Sequence, residues 1–305
     1  MDILRAFRSF FMLILFFMFF PLIPVLTKNL KTFYFRHFDP RTQVAVVPIR
    51  GFLYDSAYLT KHIRRFFENN DIKAILLKIE CPGGASGTGQ AIFSEIRHFK
   101  KIYPTKPVIA LVENICASGG YYVASAADYI IAPPSALIGS IGARFGYLFQ
   151  LQELLQDYKI QYKAIKAGTY KNVADPFVGI TEQEVAMLQS VLDDTYQQFI
   201  VDISQQRKLA PTQSYEWADG KIFTARQAKK LGLIDQLGSI SVAKKVIKEK
   251  ALIETNIKWV KPPQKSGWFN LISSDSSDDN DELSSNLVNA ICATLENRYL
   301  KKIIY

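Results

Sequence analysis

The stretch ENICASGGYYVASAAD, residues 113–128, places one small hydroxyl residue, Ser118, between an apolar run and a glycine pair. Residues 108–112 before it predict a buried strand, and residues 121–127 after it predict the first turns of a helix. Backbone N–H groups without intrahelical partners gather at such a strand-to-helix junction. The junction can therefore present Ser118 as a nucleophile, although an N-cap serine followed by a tight glycine turn fits the local sequence at least as well.

A second glycine turn lies upstream, at Pro82-Gly83-Gly84. It follows the apolar run 74–79 and precedes a helical pattern over residues 90–99, so it forms another strand–turn–helix unit. Glycine lets the backbone approach a ligand closely, and N–H groups at such a turn can point at a developing oxyanion. By itself, a Pro-Gly-Gly sequence predicts only a turn.

A polar, glycine-broken loop at residues 166–177 carries Lys171 near its centre and Lys166 at its start. A lysine acts as a general base only where burial or a nearby cation lowers its pKa from about 10.4 towards about 7 to 8, a difference of about 4 kcal/mol. Most surface lysines keep their charge. The local sequence therefore supports Lys171 over Lys166 only by its position in the loop.

The ordered set of motifs resembles the signal peptide peptidase A family of membrane-anchored serine proteases over about residues 40–250. The motifs are PGG at residues 82–84, ASGGYY at 117–122, IGSIG at 138–142, and GTYK at 168–171 followed by DPF at 175–177. The resemblance implies an α/β fold of the caseinolytic protease and crotonase group. In that fold, repeated β-β-α units stack as a spiral, here preceded by one N-terminal transmembrane helix.

The same resemblance implies that Ser118 is the nucleophile and that Lys171, rather than Lys166, is the general base. In that chemistry, neutral Lys171 takes the proton of the Ser118 hydroxyl, which attacks a peptide carbonyl and forms an acyl-enzyme. The resulting ammonium can then protonate the leaving amine. The reaction needs no metal and no cofactor.

Two backbone N–H groups are expected to hold the oxyanion. One belongs to Gly119, the residue after the nucleophile, and the other to Gly83 or Gly84, of which we favour Gly84. Ser140 matches a serine of the family that orients the lysine amine. Ile138 replaces the usual threonine of that motif, so a simple turn serine stays an equal alternative.

The histidines argue against a Ser-His-Asp triad in the chain order of caseinolytic proteases, because His37, His62 and His98 all precede Ser118. Folds can bring distant residues together in any order. However, His62 and His98 lie in basic helical patterns that predict solvated faces. We therefore expect neither histidine to take part.

Three cysteines, Cys81, Cys116 and Cys292, are too few and too scattered for a zinc site or a disulfide framework. Cys81 and Cys116 end the two predicted strands and can lie close together. We expect them to be small core residues, while a disulfide between them stays open.

Composition predicts a globular domain with appendages, since 49% of the 305 residues are hydrophobic. Residues 10–26 carry no charge and approach the minimum of about 17 residues for a bilayer span. A cleaved signal peptide competes with an anchor, but no small-residue cleavage site follows. We predict an anchor and juxtamembrane segment at 1–39, a peptidase domain at 40–264, an acidic serine-rich linker at 265–285 and a helix or tail at 286–305.

Basic residues flank the predicted anchor on both sides, so charge does not fix its orientation. The resemblance favours a single-pass protein of the cell (inner) membrane with its peptidase domain on the non-cytoplasmic side. The net charge of +9 is dispersed and accompanies no recognition motif, so we expect a lipid bilayer rather than nucleic acid as partner. The chain carries one catalytic unit, as do short family members whose rings bring the serine of one subunit to the lysine of the next. We therefore expect a homo-oligomer with active sites at subunit interfaces.

These features predict a serine endopeptidase that cleaves hydrophobic peptides, such as remnant signal peptides or membrane-protein fragments. One alternative is a crotonase-fold acyl-CoA enzyme, because two glycine turns also suit a thioester enolate. Another is a catalytically silent membrane scaffold, which keeps the fold and the anchor. Neither alternative has an evident use for Ser118 and Lys171.

Overall fold

The computed structural model describes residues 40–146 and 148–263, together with Phe20, Thr27 and Leu30. The strands in these ranges are β1 Arg41–Leu53, β2 Ile72–Gly84, β3 Val108–Ala117, β4 Tyr129–Ala132, β5 Leu137–Gly139, β6 Ile222–Thr224, β7 Gln236–Leu237 and β8 Asn256–Val260. The helices are α1 Ala57–Glu68, α2 Ser86–Ile102, α3 Gly119–Ser125, α4 Gln152–Asp157, α5 Glu182–Arg207, α6 Ser214–Trp217, α7 Ala225–Lys230 and α8 Ile240–Lys250.

The strands form one sheet in the order β6-β5-β3-β2-β1-β8, and β4 pairs with both β3 and β7. Only the pairing of β5 with β6 is antiparallel in this sheet; the other described pairs are parallel. The central strands are apolar on both faces, as parallel strands covered on two sides are. The predicted α/β class is therefore confirmed.

Alternation along each strand sends side chains to two hydrophobic clusters. On β2, Ile75, Leu77 and Ile79 belong to a large cluster that also holds apolar residues of α1, α2, α3 and α5. Ala74 and Leu76 belong to a smaller cluster that includes residues of α8. The larger cluster supports the helices that flank the two glycine turns.

Both central strands run further than their apolar cores predict. β2 continues through Pro82 to Gly84, and β3 continues to Ala117, directly before Ser118. Because β2 and β3 are parallel neighbours, the two glycine motifs lie at the same edge of the sheet. This edge collects the residues that the sequence marks as chemically important.

The glycine pair after Ser118 starts helix α3 instead of forming a separate turn. A Cβ on Gly120 would lie 2.6 Å from the carbonyl oxygen of Cys81. Glycine is thus needed because the first turn of α3 packs directly on the end of β2. The helix begins two residues earlier than predicted for this reason.

The prediction of a solvated face at His62 is wrong. His62 is 5% exposed and packs with Tyr58 and Phe66, whose ring centroids lie 4.5 and 6.4 Å away. The buried residues of α1 recur at helical spacing, and the basic residues that flank His62 occupy the other side. Burial, together with those positive neighbours, lowers the pKa of His62. His98 is exposed, as predicted.

The predicted anchor at residues 10–26, the acidic linker at 265–285 and the tail at 286–305 lie outside the described residues, apart from Phe20. Among the helices that the structure does describe, none has the length and apolar character needed to cross a membrane.

Candidate active site

Ser118 occupies a strained position at the junction of β3 and α3. Its φ of 50° and ψ of −124° lie where residues with a side chain are rarely found. Its N–H donates to the carbonyl oxygen of Gly139 at 2.8 Å, and its own carbonyl oxygen accepts from the N–H of Tyr122 at 2.9 Å. The backbone is thus held from both sides. Ser118 stands at the N-cap, but its side chain makes no capping hydrogen bond.

The Pro82-Gly83-Gly84 turn packs directly against Ser118. A Cβ on Gly83 would lie 2.9 Å from the Ser118 Cβ and 3.2 Å from its Oγ, and a Cβ on Gly84 would lie 2.2 Å from the carbonyl oxygen of Leu53. The φ angles of Gly83 and Gly84, 128° and 151°, are open to glycine alone. Both glycines are therefore required by close approach and by conformation.

The backbone segments predicted to hold an oxyanion meet beside Ser118. A Cβ on Gly119 would lie 3.5 Å from the backbone nitrogen of Gly84. Helix α2 packs on the same place, because a Cβ on Gly89 would lie 3.2 Å from the Cα of Gly119. The structure brings Gly84 and Gly119 together, although the sequence separates them by the whole of α2 and β3.

Ser140 lies in a turn that supports the Ser118 junction. Its φ is 50°, and its N–H donates to the carbonyl oxygen of Lys221 at 2.7 Å. Gly139, whose carbonyl oxygen receives the Ser118 N–H, has a φ of 109°, and a Cβ there would lie 2.8 Å from the same Lys221 oxygen. The Gly-Ser-Ile-Gly motif therefore holds the backbone of the nucleophile candidate, whereas Gly83 packs against its side chain.

A groove of about 620 Å³ opens at this junction. Its wall combines three serines, several glycines and three exposed aromatic rings. The lining residues are Phe52, Tyr54, Pro82, Gly84, Ala85, Ser86, Ser118, Ser140, Gly142, Ala143, Arg144, Phe145, Gly146 and Gly220. Sequence reasoning missed Phe52 and Tyr54, because residues at the end of β1 carry no local signal of what they face.

The two candidate lysines lie elsewhere. Lys171 is exposed in a run of turns, where its N–H donates to the carbonyl oxygen of Gly168 at 3.2 Å. Lys166 is also exposed, and its Nζ donates to the carbonyl oxygen of Thr169 at 2.8 Å. Neither is among the described residues that line the groove. One chain therefore assembles Ser118, Gly84, Gly119 and Ser140 without either lysine.

Both lysines belong to a segment that we call the arm, residues 142–180. None of its described residues is buried, although many are large and apolar. The exposed apolar residues of the arm are Phe145, Leu148, Phe149, Leu154, Tyr158, Ile160, Tyr162, Ile165, Tyr170, Phe177 and Val178. Extended apolar surface of this kind is typical of contact sites for other molecules.

Residues 40–146 and 148–263 contain no metal-binding cluster. Within these ranges, no group of three or more His, Cys, Asp or Glu side chains is placed to hold a metal ion. Cys81 and Cys116 are free thiols, and they are in register across β2 and β3. They are buried core residues, as predicted.

Comparison with known proteins shows which family the chain matches. Peptidase family S49 matches residues 100–254, just over half of the chain. A protein of Methanocaldococcus jannaschii named as a protease is 32% identical over 197 residues, which cover 65% of this chain and 62% of that one. Protease 4 of Haemophilus influenzae is 27% identical over 216 residues, which cover 68% of this chain and 34% of that protein.

The serine protease SPPA of Arabidopsis thaliana chloroplasts is 32% identical over 205 residues, which cover 66% of this chain and 29% of that protein. This chain thus spans about 60% of the length of the archaeal relative and about a third of the longer ones. The shared part includes the Ser118 junction and the arm, since the family match begins at residue 100 and ends at residue 254. The chain therefore belongs to peptidase family S49 and to the signal peptide peptidase A family that its motifs resemble.

Proposed function

We propose that this protein is a serine peptidase in which Ser118 is the nucleophile and Lys171 the general base. The observation that carries the proposal is the Ser118 junction. Its strained backbone is held by Gly139 and Tyr122, and its side chain makes no capping bond. It opens on a groove that is also lined by Gly84 of the upstream turn and by Ser140. Family membership adds independent support, because the family is one of peptidases.

In the proposed reaction, Lys171 Nζ accepts the hydroxyl proton as Ser118 Oγ attacks the scissile carbonyl carbon. The carbonyl oxygen becomes an oxyanion between the N–H groups of Gly84 and Gly119. Collapse expels the amine, which takes the proton from the Lys171 ammonium, and leaves an acyl-enzyme. Water, deprotonated by the neutral Lys171 amine, then attacks the acyl carbonyl carbon, and collapse releases the acid while Ser118 Oγ takes back the proton from the Lys171 ammonium. Ser140, which lines the same groove, would orient the lysine amine.

We further propose that the base comes from a neighbouring subunit of a homo-oligomer. Lys171 is exposed and does not line the groove of its own chain, which supports a partner in trans. The arm that carries it exposes apolar side chains that assembly would bury. Assembly would also remove the Lys171 amine from water, which favours its neutral form.

The proposed substrates are hydrophobic peptides, including remnant signal peptides and fragments of membrane proteins. Phe52, Tyr54 and Phe145 give the groove an aromatic wall that suits apolar side chains. The predicted anchor in residues 1–39 would hold the domain at the inner membrane, on its non-cytoplasmic side, where such substrates arise. We also propose that the peptidase domain has the fold of the caseinolytic protease and crotonase group, in which β-β-α units stack as a spiral.

Labelling with a fluorophosphonate probe tests the nucleophile and the base. The full-length, detergent-solubilised protein is compared with Ser118→Ala, Lys171→Ala and Lys166→Ala, of which Lys166→Ala is the matched control. We expect labelling to disappear in the first two variants and to persist in the third. Labelling that survives Ser118→Ala would exclude Ser118 as the nucleophile. An unlabelled wild type without casein hydrolysis would favour the acyl-CoA enzyme or the scaffold.

Mixing two inactive variants tests the shared site. Ser118→Ala supplies Lys171, Lys171→Ala supplies Ser118, and co-assembly places both at some interfaces. We expect an equal mixture, dissociated and reassembled, to recover about a quarter of the wild-type sites, because both intact residues face each other at about one interface in four. No recovery, or a monomer that keeps full activity on dilution, would contradict the shared site.

A further inference from the structure

A buried thiol lies beside both glycine pairs of the candidate active site. Cys81 directly precedes Pro82 in β2, and its side chain is fully buried. Across the parallel pair of β2 and β3 it is in register with Cys116, two residues before Ser118. Both thiols are free. Cys81 is therefore a hydrogen-bonding group at the point where the strands carrying the two motifs run side by side.

The Cys81 thiol contacts the first glycine of the upstream turn. Its Sγ donates a hydrogen bond to the carbonyl oxygen of Gly83 at 3.5 Å. Burial raises the pKa of the Cys81 thiol, so the thiol keeps its proton at neutral pH and remains a donor. A thiol is a weak donor, and Gly83 and Gly84 are also paired with Phe52 and Leu53 of β1, so the thiol is an additional restraint on this peptide group.

The choice of acceptor matters because the carbonyl of Gly83 and the N–H of Gly84 belong to one peptide group. That group is planar and trans, so its C=O and N–H point in opposite directions. A donor that holds the Gly83 oxygen therefore also sets the direction of the Gly84 N–H. With φ of 128° and 151°, both residues adopt a conformation that only glycine tolerates, so the direction of this peptide group depends on the contacts that hold it.

Cys81 also packs on the start of α3, which carries the second oxyanion donor. A Cβ on Gly120 would lie 3.0 Å from the Cys81 Sγ and 2.6 Å from its carbonyl oxygen. A Cβ on Gly119 would lie 3.5 Å from the Gly84 nitrogen. Cys81 therefore touches both backbone segments whose N–H groups are proposed to meet at the oxyanion.

We infer that Cys81 is a positioning residue for the oxyanion hole, because its hydrogen bond to Gly83 orients the peptide group that carries the Gly84 N–H. The inference rests on the proposed peptidase function. Cys81 touches neither the groove nor the substrate, and it acts only through Gly84. Restraint of an oxyanion donor stabilises the transition state more than the bound substrate, so its loss lowers kcat and leaves KM unchanged.

Three variants of the full-length, detergent-solubilised protein test this role. Cys81→Ala removes the donor, Cys81→Ser restores a donor of similar size, and Cys116→Ala is the matched control that removes the neighbouring buried thiol. Two quantities are measured on each sample. One is kcat and KM for a short peptide ester, and the other is amide hydrogen exchange in peptides that cover residues 80–86.

We expect Cys81→Ala to lower kcat about tenfold with KM within about twofold, well short of the 100-fold or more that loss of a whole oxyanion donor costs. Amide exchange at the turn should accelerate in the same variant, because the Gly83 oxygen loses a donor. Cys81→Ser should return both quantities to about the wild-type level, and Cys116→Ala should leave both there.

Unchanged exchange or unchanged kcat in Cys81→Ala would overturn the inference, as would failure of Cys81→Ser to recover either quantity. A general loss of folding is detected separately, because it would accelerate exchange across the sheet and not only at the turn. Absence of turnover in the wild type would overturn the proposed peptidase function instead. In that case the exchange data alone still decide whether Cys81 holds the turn.

Discussion

The Ser118 junction and the arm differ in how far one chain completes them. At the junction, backbone approaches so closely that a single added carbon at Gly83, Gly84 or Gly120 would meet another atom within 3 Å. In the arm, none of the described residues is buried, and a Cβ on Gly168 would meet nothing within 4 Å. Packing inside the chain thus fixes the candidate nucleophile and the proposed oxyanion donors, whereas the proposed base lies on an exposed surface.

We expect the largest difference in stability between two alanine variants, one at a glycine of the Ser118 junction and one at a glycine of the arm. Gly84→Ala places a Cβ 2.2 Å from the Leu53 carbonyl oxygen at a φ of 151°, and we expect it to lower the free energy of unfolding by about 3 kcal/mol or more. Gly168→Ala keeps open space around its Cβ at a φ of 98°, so we expect a loss of only about 1 kcal/mol. Denaturant unfolding of both variants measures the difference. Equal losses would erase the distinction between the two regions.

A charge placed in the arm should weaken assembly without weakening the fold. Ile165 is 95% exposed, so Ile165→Asp removes almost no buried surface from the isolated chain. Burying the new carboxylate at an interface is costly, and we expect self-association to weaken about 100-fold, with little change in melting temperature.

Leu252 supplies the matched control for this charge. It is 88% exposed and lies outside the arm, so Leu252→Asp adds the same charge to a surface with no proposed role. Sedimentation velocity over a dilution series gives the association constants of both variants. Equal weakening by both would show that added charge alone disfavours assembly and that the arm is not the interface.

A smaller contrast concerns a lysine that packing buries. The Lys106 Nζ donates to the carbonyl oxygens of Phe66, Phe67 and Asn69 at the end of α1. Burial lowers the pKa of Lys106 to about 8. An unfolded lysine titrates near 10.4, so between these values the unfolded chain binds more protons and stability rises with pH. We expect the free energy of unfolding to rise by an amount on the order of 1 to 2 kcal/mol between about pH 8 and pH 10. The rise stays this small because the three carbonyl acceptors favour the charged amine and so oppose the effect of burial.

Thermal unfolding across this pH range tests whether Lys106 causes the rise in stability. One lysine is changed in the buried core and one in the arm. Lys106→Met should abolish the rise. Lys163→Met, in the exposed arm, should leave it intact. A rise that persists in Lys106→Met would assign the effect to another group and remove this difference between buried and exposed lysines.

The elements that local signals could predict are those around the junction. Apolar runs followed by glycine pairs predicted β2, β3 and the position of Ser118, because each strand core and the glycines that end it are adjacent in sequence. The family resemblance added the choice of Lys171. Residues at the end of β1, such as Phe52 and Tyr54, gave no such signal, because their place in the groove depends on strand order.

Predictions from local sequence were wrong where contacts with residues distant in the chain determine the structure. The glycine pair after Ser118 enters a helix because the end of β2, nearly 40 residues upstream, lies against it. His62 was assigned to a solvated face because its nearest neighbours in sequence are charged, whereas its spacing from Leu59 and Phe66 places it inside. The proposed partner of Lys171 is the Ser118 of a second chain, a contact that the sequence and structure of a single subunit do not contain.

The exposed position of Lys171 has a consequence for when the proposed enzyme is active. A newly made chain would carry a folded nucleophile with no base beside it, and so would be harmless to the proteins around it. Turnover per chain would then rise with the density of chains in the membrane, because each working site needs two of them. Expression level would then control the activity per chain.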